Sequence, residues 1–198
     1  MLKSKKPFLA IVYVSRKGHT KLQAEAVARG AEAGGARVKL YTSVSAVEKF
    51  EELDTADAII FGTPTYMGNV SSEMKLFMEK CAGRWYSRTW SDKIAGGFTC
   101  SSNFSGDKVN TMLALCVFGM QMGMIWVGMN QLAATNVPQE SKSVEGPGSS
   151  ALNRNSASIG PQASVFDVPA PDAPAAGDLE TAEAYGRRIA EITARFCK

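Results

Sequence analysis

Five short strand-forming runs alternate with stretches of helical periodicity, and this alternation constrains the fold more than any other feature of the chain. The runs are Phe8–Val14, about Arg37–Tyr41, Ala58–Phe61, Ile94–Thr99 and Met124–Gly128. Between them a helix is predicted over about Thr20–Ala33, with Leu22, Ala26, Val27 and Ala31 on one face and Gly34-Gly35 as its stop. A short helix is expected over Ala46–Leu53. Another, capped by Ser71 or Ser72, carries Met74, Phe77, Met78 and Cys81 at helical spacing. About Asp107–Met122 is so apolar that a largely buried helix is expected. The last helix is predicted to start at an N-cap Asp178 and run to about Phe196, with Leu179, Ala182, Tyr185, Ile189, Ile192 and Phe196 as its apolar stripe. Strands joined through helices require right-handed crossovers. An α/β doubly wound parallel sheet of order 2-1-3-4-5 is the common solution for five strands.

The 198 residues suffice for one domain, expected over 1–198. Residues 131–177 break the rhythm and hold six of the eight prolines, with Gly and Ser between them. A segment that long is rarely inert in a compact domain; lid, oligomer arm and linker are all open readings. A net charge of +3, dispersed along the chain, gives no case for nucleic acid, and Lys3, Lys5 and Lys6 read as a solvated terminus. Phe8–Val14 is short and lacks a small-residue cleavage site, so it reads as a strand and not as a leader. No apolar stretch approaches the roughly 20 residues that span a bilayer. Cys81, Cys100, Cys116 and Cys197 share no paired spacing, which points to reduced thiols and a cytoplasmic location, without membrane insertion. Asn69-Val70-Ser71 and Asn103-Phe104-Ser105 match the glycosylation pattern by letter only.

The residues that follow the strands carry the chemistry. Gly62-Thr63-Pro64-Thr65-Tyr66-Met67-Gly68-Asn69 is expected as a loop at the carboxyl edge of the sheet, where ligands bind. Gly62, Pro64 and Gly68 would shape it, Thr65 and Asn69 supply hydrogen bonds, and Tyr66 and Met67 offer a flat, soft surface. Ser15-Arg16-Lys17-Gly18-His19-Thr20 joins the first strand to the first helix. It reads either as an anion cradle built on unpaired helix N–H groups or as a polar turn that caps the helix. It matches neither G-x-G-x-x-G nor G-x-x-x-x-G-K-[ST], which removes support for a dinucleotide fold or a nucleotide triphosphatase. His19 is the only histidine, so a Ser-His-Asp set or a histidine metal site has no basis, and no metal is expected. Cys100-Ser101-Ser102-Asn103-Phe104-Ser105-Gly106 follows the fourth strand. Together the three loops describe a phosphate pocket beside a polar-edged slot for a planar ring, which is what FMN requires.

Ser15-x-x-Gly18-His19-Thr20, Gly62-Thr63-Pro64-Thr65-x-x-Gly68-Asn69 and the following Trp85 resemble the flavodoxin-like NAD(P)H:quinone oxidoreductases of the WrbA (tryptophan-repressor-binding protein) type. The resemblance continues through Lys93–Gly106, Gly123–Gly128 and the terminal helix. It implies a flavodoxin-like three-layer sandwich holding non-covalent FMN, with NADH or NADPH as co-substrate and a quinone or similar small acceptor. It implies that Ser15, Arg16, Lys17, Gly18, His19 and Thr20 hold the phosphate. Pro64, Thr65, Tyr66, Met67, Gly68 and Asn69 would lie along one side of the isoalloxazine. Cys100, Ser101, Ser102, Asn103, Phe104 and Ser105 would meet its pyrimidine edge. Trp85 and Lys17 are implied near the substrate, and a homodimer or homotetramer would complete the site from neighbouring subunits. No side chain is assigned as a catalytic acid or base, because the flavin carries the chemistry.

Two departures stand out. Family members carry a His just before the Gly-Met that opens the fifth strand, where this chain has Gln121-Met122, and an Arg-Phe or Tyr-Phe pair after Pro-Thr, where it has Tyr66-Met67. Two rival readings are a flavodoxin-like electron carrier and a non-catalytic FMN-binding or regulatory protein. Carriers are usually strongly acidic for electrostatic docking, whereas this chain is slightly basic.

Overall fold

The computed structural model describes residues 6–137 and 142–197. Lys3 and Lys5 of the basic start and Pro138 of the long segment lie outside the described residues. The first half comprises β1 (Phe8–Tyr13), α1 (His19–Ala33), β2 (Arg37–Thr42), α2 (Ser43–Glu48), α3 (Phe50–Asp54), β3 (Ala58–Tyr66), β4 (Asn69–Val70) and α4 (Ser72–Lys80). The second comprises α5 (Ala82–Tyr86), β5 (Ile94–Ser101), α6 (Lys108–Gln121), β6 (Ile125–Trp126), β7 (Gln162–Ser164) and α7 (Ala176–Phe196).

The parallel strands lie in the order β2-β1-β3-β5-β6, which is the expected 2-1-3-4-5 when the hairpin strand β4 is left out of the count. Side chains alternate across the sheet. Phe8, Ala10, Val12, Ile59 and Phe61 face a core with Phe50, Met74, Phe77, Leu115 and Phe118 of α3, α4 and α6. Leu9, Ile11, Ala58 and Ile60 face α1 and α7. Burial on both faces explains why β1, β3 and β5 read as continuous apolar runs, whereas the edge strand β2 alternates and is largely exposed. The α1–α7 layer depends on small residues. A β-carbon at Gly30 would collide with the Glu183 carbonyl, and one at Gly186 with the Val27 carbonyl.

Several expectations need correction. The predicted loop from Gly62 is mostly strand, since β3 continues to Tyr66 and pairs with β5 as far as Pro64↔Cys100. Proline is tolerated there because β1, the other neighbour, has already ended at its Tyr13↔Gly62 pair, so no ladder bond is lost. Gly62 is required because the Phe98 ring occupies the space of a β-carbon. Only Met67 (φ 48°) and Gly68 (φ 74°) form a turn, a two-residue hairpin in which Tyr66 pairs with Asn69. The helix expected over 46–53 divides at Lys49 into α2 and α3. Ser71 is the cap of α4, accepting from the Met74 N–H at 3.3 Å. Asp178 is not the cap of α7; Ala175 is, and Asp178 lies buried in the first turn. The apolar α6 buries Met112, Leu115 and Phe118 but exposes Val109, Leu113, Val117 and Met120, because nothing among the described residues covers its outer side. Phe196 of the α7 stripe is exposed as well.

The fifth strand departs most from expectation. Only Ile125–Trp126 pair with β5, at Ile94 and Ala95; the chain then leaves the sheet and returns as β7 beside Thr99–Ser101. In the gap, the Tyr185 hydroxyl donates to the Val127 carbonyl (2.6 Å) and accepts from the Gly97 N–H (3.3 Å). The excursion is braced by Asn153, whose side-chain amide donates to the carbonyls of Gln131 (3.2 Å) and Ala157 (3.0 Å) and accepts from the Ala157 N–H (2.8 Å). Gly186→Ala is expected to lower the unfolding free energy by about 2 kcal/mol or more, since the colliding atom is backbone and cannot rotate away. Urea unfolding of the variant beside an exposed Gly83→Ala control, where a β-carbon meets nothing and the backbone is helical, measures it; an equal loss in both would refute the close-approach explanation.

Candidate functional site

A cleft of about 380 Å³ opens at the carboxyl ends of β1, β3 and β5, where the strand order reverses. Ser15, Arg16, Lys17, His19 and Thr20 line it from the β1–α1 connection, and Pro64, Thr65 and Tyr66 from β3. Cys100, Ser101 and Ser102 line it from the end of β5, and Val165 with Asp167, Val168, Pro169 and Ala170 from the chain after β7. The structure thus gathers the three sequence-predicted loops and adds a fourth wall that sequence reasoning left open.

At one end, Gly18 (φ 93°) precedes α1, whose first-turn N–H groups have no intrahelical acceptor. The Lys21 N–H reaches the Ser15 hydroxyl at 3.2 Å. Gly18 is needed for its positive φ and because a β-carbon would press on the Ala170 side chain. His19 is tied by its Nε2 to the Val168 carbonyl at 2.8 Å, so that nitrogen carries the proton and fastens the fourth wall to α1. Arg16 binds Glu73 (2.7 Å) and Ser72 Oγ (3.2 Å) and lies 5.2 Å from the Tyr66 ring centre. The hydrogen bonds from Arg16 hold the Glu73 carboxyl down at about 2, and Glu73 in turn raises Arg16. Lys17 lines the cleft without a partner among the described residues. Thr20 Oγ1 and Cys100 Sγ are 3.3 Å apart, and burial pushes the Cys100 thiol up to about 11, so it stays protonated at neutral pH.

At the other end the hydroxyls are ordered. Thr99 Oγ1 donates its single proton to the Thr63 carbonyl (2.6 Å), so in the 2.9 Å contact with Thr65 it is Thr65 that donates. Thr65 therefore offers the cleft an acceptor oxygen. Tyr66 supplies the aromatic surface, and burial raises its phenol. Met67, Gly68 and Asn69 do not line the cleft. Met67 is fully exposed, and the Gly68 carbonyl is held by Asn110 Nδ2 (2.6 Å).

Of the third loop, Ser101 and Ser102 line the cleft, whereas Asn103, Phe104 and Ser105 do not. Ser102 Oγ donates to Asp167 (2.8 Å), the only carboxylate in the lining, and Phe166 N–H to the Ser102 carbonyl (2.8 Å). Phe104 stands edge-on to Phe166, ring centres 4.8 Å apart. Behind the loop, buried Lys108 donates to its carbonyls; sequence reasoning missed this residue. The available signal was a lysine at the first position of an otherwise apolar helix, against the usual dipole preference. Trp85 is not brought to the cleft: it lines a separate groove with Met78, Gln121 and Met122.

The donor set fits FMN. Helix N–H groups, Ser15, Lys17 and Thr20 suit a phosphate dianion, while Thr65, Tyr66, Ser101 and Ser102 surround a flat slot with polar edges. The cleft is within the range of small-molecule sites.

Residues 41–139 match the family described as NADPH-dependent FMN reductase. The chain is 36% identical over 183 residues to flavodoxin FldP of Pseudomonas aeruginosa, covering 92% of this chain and 94% of that protein. It is 30% identical to an NAD(P)H dehydrogenase (quinone) of Archaeoglobus fulgidus, covering 96% of this chain and 98% of the relative. A flavodoxin, WrbA-like protein from Agrobacterium tumefaciens superposes with a TM-score of 0.71 at 35% identity, covering 98% of this chain and all of the other.

Because its folded-state value is depressed, Glu73 contributes stability above its usual titration range, and that contribution disappears as pH falls towards about 2. Glu73→Gln is therefore expected to lower the melting temperature slightly at neutral pH and to match the parent near pH 2. A difference that persists at that acidity would show that the Arg16–Glu73 pair is not its source.

Proposed function

We propose, from the premise that the chain belongs to the NADPH-dependent FMN reductase family of flavodoxin-like proteins, that it is an FMN-dependent oxidoreductase carrying electrons from NADH or NADPH to a quinone or similar small acceptor. The observation that carries this reading is the continuity of one cleft, from the open N–H groups of α1 to the flat, hydroxyl-edged slot of Thr65, Tyr66, Ser101 and Ser102. FMN, when bound, would supply the redox chemistry of two-electron transfer between a nicotinamide and the acceptor.

The chain's own residues bind and orient. Ser15, Lys17, Gly18 and Thr20 hold the phosphate, with Lys17 a cation that has no partner there among the described residues. Arg16 and His19 act mainly as braces, since Glu73 and Val168 already engage them. Thr65 accepts from a ring N–H, Tyr66 covers part of the ring, and Ser101 and Ser102 meet its polar edge. Pro64 leaves its strand position without an N–H, so the slot wall there is apolar. Cys100 contributes a thiol and no nucleophile. Met67, Gly68 and Asn69 shape the hairpin that carries Tyr66, and Asn103, Phe104 and Ser105 support the rim from outside. No side chain acts as an acid or base.

Trp85 and the exposed side of α6 support a homodimer or homotetramer in which Trp85 reaches the cleft of a neighbouring copy. Cys81, Cys100 and Cys116 are free thiols and none of the described helices is long and apolar enough to cross a membrane, in keeping with a cytoplasmic protein. A second reading, an electron carrier, is favoured by the similarity to flavodoxin FldP, whereas the charge of +3 favours the enzyme.

Purified protein is expected to show flavin absorbance that bleaches anaerobically with NADPH or NADH and returns on adding a quinone. Flavin that neither nucleotide reduces, but that a protein electron donor does, would support the carrier and reject the enzyme. Gly18→Val is expected to weaken FMN binding at least tenfold by fluorescence titration, because it strains a left-handed position and crowds Ala170. Unaltered affinity would remove Gly18 from the phosphate cradle.

A further inference from the structure

Lys108 is the first residue of α6 and is fully buried. Its Nζ lies 2.6 Å from the Asn103 carbonyl, 2.8 Å from the Phe104 carbonyl, 3.0 Å from Ser164 Oγ and 3.2 Å from Ser101 Oγ. Three protons serve four acceptors, and every acceptor is uncharged. No carboxylate stands within ion-pair distance of it among the described residues. The nearest compensation is Asp178, reached only through Ser164, whose N–H donates to Asp178 Oδ2 at 3.2 Å and whose hydroxyl donates to Asn155 at 2.7 Å. Asn155 Nδ2 in turn donates to Asp178 Oδ1 at 2.9 Å. Arg154 also acts on Asp178, so that carboxylate is shared between Lys108 and a second cation.

A buried ammonium is costly, and a methionine of similar length would fill the space more cheaply. The loop it holds supplies Ser101 and Ser102 to the cleft, and Ser164 leads directly into Val165 and the fourth wall. We propose that Lys108 is a positioning residue for the cofactor, its charge holding the Ser101–Phe104 loop against β7 and making the bound flavin easier to reduce. This rests on the FMN reading above. A hydride brings one proton and two electrons, leaves the nicotinamide as NAD(P)+, and so adds one negative charge to the flavin. A fixed cation behind the polar rim favours the side of that equilibrium with the added charge.

Burial pushes Lys108 down to about 8, against the pull of Asp178 and Cys100. Of the groups that face it, burial raises Asp178, and burial pushes Cys100 up to about 11. The ammonium therefore predominates below about pH 8 and is lost as pH rises through that value.

The test compares the FMN-loaded chain with Lys108→Met, Lys108→Arg and Ser164→Ala by dye-coupled reduction potential, and the flavin-free chains by amide exchange. K108M is expected to lower the reduced-to-oxidised ratio at a fixed potential roughly tenfold, the scale of one unit charge acting through several ångströms of protein interior. For a two-electron couple that is about 30 mV more negative. K108R is expected to restore most of the potential. S164A is expected to speed exchange at Ser101–Phe104 while leaving the potential near that of the parent. FMN-loaded K108M with an unchanged potential overturns this inference alone, whereas a parent chain that binds no FMN overturns the proposed function and this inference with it. If K108M does not fold, the parent suffices: its potential is expected to fall more steeply with pH above about 8 than below, and a constant slope refutes the role of the charge.

Discussion

Strand β5 is buried along its length except at its final residue, so every backbone N–H and C=O on its outer edge requires a partner. Three different groups meet that requirement in succession. Ile125–Trp126 pair with its start, the Tyr185 hydroxyl bridges Gly97 and Val127, and Gln162–Ser164 pair with its end. The break between the first and third partners is where the long excursion leaves and rejoins the sheet. The last partner delivers Val165–Ala170 to the cleft and Ser164 to Lys108. The shape of the site therefore follows from completing one strand's hydrogen bonds.

The cleft walls are held to one another before any ligand arrives. Arg16 joins the first loop to the start of α4, and His19 joins α1 to Val168. The threonines at 63, 65 and 99 lock the ends of β3 and β5 with a defined direction of proton donation. Ser102 and the 166–167 backbone fasten the third loop to the fourth wall, where Phe166 (φ 47°) and Asp167 (φ 57°) both adopt left-handed geometry. Strained positions persist only where surrounding bonds over-determine them. A cleft assembled in this way suits a cofactor that carries its own reactivity and needs orientation from the protein. Among the sequence-predicted residues, Arg16 and His19 line the cleft and also tie its walls together, while Phe104 packs behind the rim.

Much of this was legible along the chain because it depends on neighbours in sequence. Alternating apolar runs and helical stripes reveal strand order, since βαβ connections permit few arrangements. The loop residues Ser15, Thr20, Thr65, Ser101 and Ser102 could be found because strand ends of a parallel sheet converge on one edge. Pro64 misled for a physical reason. Proline ends a strand only when its missing N–H is needed, and β1 had already ended beside it. Asp178 misled in a similar way, since its place after Gly177 reads as a cap, whereas its carboxylate is drawn inward by Ser164 and Asn155. Tyr185 read as core, and its ring is core; nothing local announces that its hydroxyl repairs a gap in the sheet.

By itself the sequence determined the doubly wound architecture, the three strand-end loops and the kind of ligand they suit. Periodicity, glycine and proline placement and side-chain chemistry act over a few residues, and the parallel sheet turns that local order into position. Only the tertiary structure decided how residues after 128 return to the edge of β5, which loop residues face inward, and that a lysine lies buried behind Ser101. Those outcomes depend on contacts between residues tens of positions apart, where the need to satisfy buried hydrogen bonds and charge selects one arrangement and no short stretch of sequence records it.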